Sequence, residues 1–164
     1  MKKGFTLMEV IVSFGIMTIV VASLLPIVSW LITRSKFLQY DAAASVLLQE
    51  GMEVSYNVIV SDWTGFLATF PDGIYHPAVD AISVPEKWTL VTGSETNLET
   101  RFERSILISP VCRNDSTGEI VTGVCGSGST VDGNSRLVTT TVKWLEQQTD
   151  KTITASLLVT NLTR

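Results

Sequence analysis

The chain has 164 residues, a formal net charge of −4, only 17% charged residues and 45% hydrophobic ones. An acidic chain without a basic stripe argues against nucleic acid as a partner. Its length leaves room for one modest soluble domain besides a long apolar segment, and excludes two domains of ordinary size.

The N-terminus reads Met1-Lys2-Lys3-Gly4, then Phe5-Thr6-Leu7-Met8-Glu9. Residues 10–32 follow without a single charge. About 23 residues at 1.5 Å rise span roughly 34 Å, enough to cross a bilayer core with some tilt. A cleavable secretory signal has a shorter apolar region and a small-residue exit, and neither occurs here. Basic residues flank both ends, Lys2 and Lys3 before the run and Arg34 and Lys36 after it. Charge therefore does not orient the span.

Glu9 stands at the lip of the run, where taking a carboxylate into lipid costs a few kcal/mol. The positive end of the helix dipole favours an anion in that first turn. One reading is a polar flank at headgroup level, the other a carboxylate waiting for a cation. Pro26 interrupts the run, removes one helical hydrogen bond and is expected to kink the axis. Gly15, Ser13, Ala22 and Ser23 are small enough for close approach of a second helix.

A short basic leader ending in Gly4, followed by Phe5 and then by Glu9 before a membrane-length run, resembles the prepilins of the type IV pilin superfamily. The resemblance implies cleavage after Gly4 by a prepilin peptidase and N-methylation of Phe5. It implies that Glu9 neutralises the new amine of a neighbouring subunit during assembly, and that Pro26 marks a point where the helix can loosen in the packed filament. The partners it implies are other pilin subunits, the prepilin peptidase, membrane lipid and, indirectly, an assembly ATPase and a platform protein. It places the leader in the cytoplasm and the C-terminal bulk outside the inner membrane, later in a pilus or a cell-envelope pseudopilus.

Helical spacing of apolar residues continues from Phe37 through Val46, Leu47, Met52, Val54 and Tyr56. One helix is expected over residues 5–58, transmembrane over 10–32 and amphipathic over 33–58. Gly51 weakens it locally without ending it. Residues 59–87 read as an irregular connector rich in turn signals, with Pro71-Asp72-Gly73, His76-Pro77 and Pro85. From Trp88 the period changes to two, and strands are expected over 88–91, 100–111, 119–124, 136–145 and 152–162. The last two form a hairpin joined by the polar stretch 146–151. Residues 59–164 thus make one C-terminal domain. The expected fold class is α+β, a long N-terminal transmembrane helix packed by its C-terminal half against an antiparallel sheet, which is the pilin fold that the resemblance implies.

Cys112 and Cys125 bracket the turn-rich Asn114-Asp115-Ser116-Thr117-Gly118. A hairpin there brings the cysteines together, and outside the cytoplasm a disulfide is favoured over two free thiols. Residues 126–134 read as a flexible loop, and their glycines precede no helix that would cradle a phosphate. His76 is the sole histidine and no cysteine stands beside it, so neither a metal nor a cofactor is expected. No nucleophile motif is present.

The function expected is that of a structural subunit, a minor pilin of a type IV pilus. The alternatives are a type II secretion pseudopilin and a single-pass membrane-anchored adhesin or binding protein that never enters a filament. Catalysis is not expected.

Overall fold

The structure is a computed structural model that describes residues 6–83, 85–121 and 125–161. It is α+β, a long N-terminal apolar helix followed by a seven-stranded antiparallel sheet. The chain divides into two compact units, Met1–Asp41 and Ala42–Arg164. Helix α1, Leu7–Ser61, contributes to both.

Within the first unit α1 is apolar all round, with a mean hydropathy of 2.5 over its most apolar window and no residue of that window buried. Such a surface needs lipid or protein around it. Several hydroxyls along this segment bond to the helix's own carbonyls. Ser13 Oγ donates to Glu9 O at 2.7 Å, Thr18 Oγ1 to Gly15 O at 2.8 Å and Thr33 Oγ1 to Ser29 O at 3.0 Å. No donor among these three is left to face hydrocarbon unpaired. The helix assignment continues through Pro26. Its missing N–H frees the carbonyl of Ala22, four residues back.

In the second unit α1 buries Ala44, Leu47, Gly51, Val54, Ser55 and Ile59, spaced as one helical face. That face lies against a sheet of order β2-β1-β4-β6-β7, with β3 and β5 also pairing with β4. The strands are β1 Gly73–Asp80, β2 Lys87–Thr92, β3 Glu95–Leu98, β4 Phe102–Asn114, β5 Ile120–Val121, β6 Ser129–Glu146 and β7 Thr149–Thr160. Alternation selects the buried side. Phe102, Ile106 and Ile108 of β4 and Val138, Val142 and Trp144 of β6 point to the helix and are buried. At roughly 1.5–3 kcal/mol per buried large apolar side chain, this layer dominates the domain's stability.

Residues 59–87 are not an irregular connector. They hold a short helix, α2 Trp63–Thr69, and the whole of β1. Asp62 caps α2, its Oδ1 accepting from Gly65 N at 2.9 Å. Phe66 anchors it in the core, with Trp63 and Phe70 rings beside it and Tyr75 edge-on to Phe70. Tyr75 donates its hydroxyl to Pro71 O at 2.6 Å, and burial, then the charge of Asp72, push its pKa up.

Pro77 makes β1 look unlike a strand, yet its position explains why it is tolerated. Gly93 N donates to Ile74 O, and the register pairs Tyr75 with Thr92, so Pro77 turns its nitrogen away from β2. On that other side the pairing with β4 has already stopped at Tyr75. No ladder bond is lost.

Two further expectations change. Residues 129–134 belong to β6 rather than to a flexible loop, because β4 runs on to Asn114 and pairs Val111 with Asp132, Cys112 with Val131 and Asn114 with Ser129. The register shifts between Pro110 and Val111, a bulge that absorbs Gly133 to Ser135. The connection from β6 to β7 is only Gln147-Gln148, both left-handed at φ 46° and 66°. Two such residues close a tight hairpin whose twist matches its strands. The expected strand over 119–124 is seen as β5, Ile120–Val121; residues 122–124, like Leu162 at the end of the last expected strand, lie outside the described residues.

Candidate functional site

Of the N-terminal residues singled out above, Gly4 and Phe5 lie outside the described residues. Glu9 sits in the first turn of α1 and is exposed. Thr6 precedes the helix and its backbone oxygen accepts from Glu9 N at 3.1 Å, with Oγ1 of the same residue 3.4 Å from that nitrogen. Thr6-x-x-Glu9 is the spacing of a capping box, in which a hydroxyl residue opens the helix and a glutamate stands three positions on. Sequence reasoning weighed Glu9 for its charge and missed Thr6. The signal was in the spacing itself. The cap at Thr6 starts the helix at Leu7, so the Glu9 carboxylate belongs to the first turn, which carries the positive dipole end.

From Leu7 to Ile32 the large apolar side chains described are 43–80% exposed. The geometry therefore presents one carboxylate, in an ordered turn, at the head of an uncovered apolar helix. Such an end can bind a cation only where water is excluded around the helix, because an exposed ion pair is worth about 0–1 kcal/mol.

Within the second unit a different group of residues fixes the helix to the sheet. Arg104, on the buried face of β4, donates to Leu47 O at 3.2 Å and lies 3.3 Å from Glu50 and 2.7 Å from Glu95. Its side chain is 3% exposed, whereas the two glutamates are 37% and 29% exposed. Water around the carboxylates reduces the net gain of these pairs, and Arg104 Nε is buried with no protein partner. The cluster sets where α1 sits along the sheet more than it adds stability. Alternation in Phe102-x-Arg104-x-Ile106 placed this arginine among core residues, and that was the signal available in the sequence.

Cys112 and Cys125 form a disulfide, with 5.4 Å between their Cα atoms. In the chain-entropy view a loop of this size stabilises by about 3 kcal/mol. Next to it, Asp132 Oδ2 accepts from Arg113 Nε at 2.6 Å and from Ser135 Oγ at 2.7 Å. Arg113 Nη1 also donates to Gly118 O at 3.1 Å. The Arg113 bond first, then Ser135, lower the Asp132 pKa from 3.8 to about 2. A depressed carboxylate pKa contributes stability that is present above the unfolded value and lost as pH falls through the folded one. After allowance for the partly exposed Arg113 this is on the order of 1 kcal/mol. Thermal unfolding should therefore find Asp132→Asn less stable than wild type at neutral pH, with the gap closing between about pH 4 and about pH 2. A gap that persists unchanged at pH 2 would count against the ion pair.

Among the described residues no group of three or more His, Cys, Asp and Glu is placed to hold a metal ion. His76 lies on β1, its Nδ1 3.1 Å from Gly93 O.

No curated protein and no solved structure matches the chain. Residues 1–25 match the family model of the prokaryotic N-terminal methylation motif. That motif implies processing by prepilin peptidase and assembly with other pilins. The chain carries the type IV prepilin signature at the head of its apolar helix.

Proposed function

We propose that this protein is a structural subunit, a minor pilin of a type IV pilus, made as a membrane-anchored prepilin. The observation that carries the reading is the methylation motif over residues 1–25 coinciding with a capped, uncovered apolar helix whose first turn holds one carboxylate. A prepilin peptidase cuts after Gly4, and Phe5 becomes the methylated N-terminus. The helix leaves the membrane as it packs against those of other subunits, with an assembly ATPase and a platform protein supplying the work. In that packed, water-free environment Glu9 neutralises the amine of a neighbouring Phe5, since a buried charge needs a partner. Pro26 leaves one carbonyl unpaired and so provides the point where the helix can loosen.

The domain contributes packing surface rather than chemistry. Its disulfide suits an oxidising location outside the cytoplasm. The preference for a minor pilin rests on the long segment between α1 and β2, which holds α2 and β1, and on the disulfide-closed loop after β4.

The cleavage site is tested by co-expression with a prepilin peptidase. Wild type should shift to a shorter form, and Gly4→Leu should stay full length because a bulky side chain blocks access to the scissile backbone. Normal trimming of Gly4→Leu would remove the assignment.

A further inference from the structure

The β3–β4 and β6–β7 turns lie at the same end of the sheet, because Phe102 pairs with Leu98 on one side and with Trp144 on the other. Phe102 and Trp144 face α1. Alternation therefore turns Glu103, Lys143 and Leu145 to the opposite face, with Asp150 as the register partner of Leu145. These four and Arg101 line one hollow of about 310 Å³. An adjoining hollow of about 480 Å³ shares Arg101, Glu103 and Leu145 and adds Asn97 and Thr100 to its wall.

Glu103 and Lys143 stand directly opposite each other on β4 and β6. Opposite charges so placed ordinarily pair. Among the described residues, however, neither forms an ion pair or a side-chain hydrogen bond, and Asp150 forms none either. Leu145, opposite Asp150, is 56% exposed. The lining thus holds two cations, two anions and one uncovered apolar side chain. The backbone adds an independent feature. The non-glycine residues with left-handed backbone, among those described, are Asn97, Glu99, Thr100, Gln147 and Gln148, all in or beside these two turns. Thr100, at φ 70°, is the extreme case, since a β-branched side chain is crowded there. Residues held this way cost stability and concentrate at ligand sites.

We propose that this hollow binds a free α-amino acid with an apolar side chain, held through its two charged groups. The choice follows from charge. With both signs equally present, a simple anion or cation meets as much repulsion as attraction. A neutral ligand would strip water from Glu103 and Lys143 without pairing them, which is costly. A zwitterion satisfies both. Its carboxylate accepts from Lys143 and Arg101, its ammonium donates to Glu103 and Asp150, and its side chain lies on Leu145. An amino acid carries the two charges on one carbon, which suits partners on adjacent strands. The smaller hollow is at the low end of ligand-site volumes and fits a molecule of that size. The site is independent of processing and assembly.

Saturation-transfer NMR on the full chain in a nonionic detergent tests this, with L-leucine as the probe. L-Leucine should bind saturably. Leucinamide, which lacks the carboxylate, and isocaproate, which lacks the ammonium, should each bind about tenfold more weakly, the loss of one charge-assisted contact. Lys143→Gln and Glu103→Gln should each weaken L-leucine by a similar factor. Neither side chain is buried, so the fold survives both changes. Lys143→Gln should also erase the preference over leucinamide while keeping that over isocaproate, and Glu103→Gln should do the reverse. A ligand resting only on Leu145 would show no such exchange. Absence of saturable L-leucine binding, equal binding of all three probes to wild type, or preferences that both variants leave unchanged would overturn the proposal.

Discussion

Glu9→Ala is expected to enter the membrane and be trimmed after Gly4, yet to fall about a hundredfold or more in filaments. Removing the carboxylate makes the segment more apolar, so insertion does not suffer. The loss appears when helices pack. There the amine of a neighbouring subunit is taken out of water, and leaving one partner of a buried pair uncompensated costs about 3–5 kcal/mol. At 1.4 kcal/mol per decade this is two to three orders of magnitude in the assembly equilibrium. Glu9→Gln should behave like alanine, because its amide keeps the size but not the charge. The measurement is the ratio of subunit in sheared filaments to subunit in membranes. Wild-type ratios for both variants would show that Glu9 is only a polar flank. The Thr6 cap bears on the same test, since it holds Glu9 in an ordered first turn.

The second large effect concerns Gly51, where the backbone of α1 packs tightly on the sheet. A Cβ built there would lie 2.8 Å from Thr140 Cγ2 and 3.4 Å from Arg104 Cδ. Thr140 is fully buried and β-branched, so its methyl has nowhere to turn. In an open helix Gly→Ala stabilises by about 1 kcal/mol. Here overpacking at about 1–3 kcal/mol opposes it and wins. Gly51→Ala should therefore lower the Tm by a few degrees, roughly 2–4 °C per kcal/mol for a domain of this size. Gly51→Leu should prevent the helix from docking at all. Gly15→Ala is the control, since nothing lies within 4 Å of that position. Thermal unfolding of the chain in detergent separates the cases. A more stable Gly51→Ala would mean that the close approach carries no constraint.

These two sites differ in how far the sequence announced them. The leader, the apolar run and Glu9 were legible because hydropathy and charge along one helix are local properties. The helix end, expected at residue 58 and found at Ser61, and the cores of β4, β6 and β7 were legible for the same reason, through their periods of 3.6 and 2. Gly51 read only as a weak helix position, because what makes it necessary is Thr140, which is distant in sequence. The role of Arg104 shows only where Leu47, Glu50 and Glu95 gather round it. Strand β1 was hidden by Pro77, whose harmlessness depends on where the β4 pairing stops. The early part of β6 was hidden by the loop-like Gly126-Ser127-Gly128 just before it and by Gly133-Asn134 in its bulge, although β4 pairs with residues 129–132 between them and Arg113 holds Asp132. Each miss came from a partner in another element.

The central claim is that the N-terminus is an instruction for cutting and assembly, and the intact mass of the mature chain tests it most directly. The account predicts a chain lacking residues 1–4, with one methyl group added at Phe5. A full-length, unmethylated chain recovered from cells with an active prepilin peptidase would contradict it.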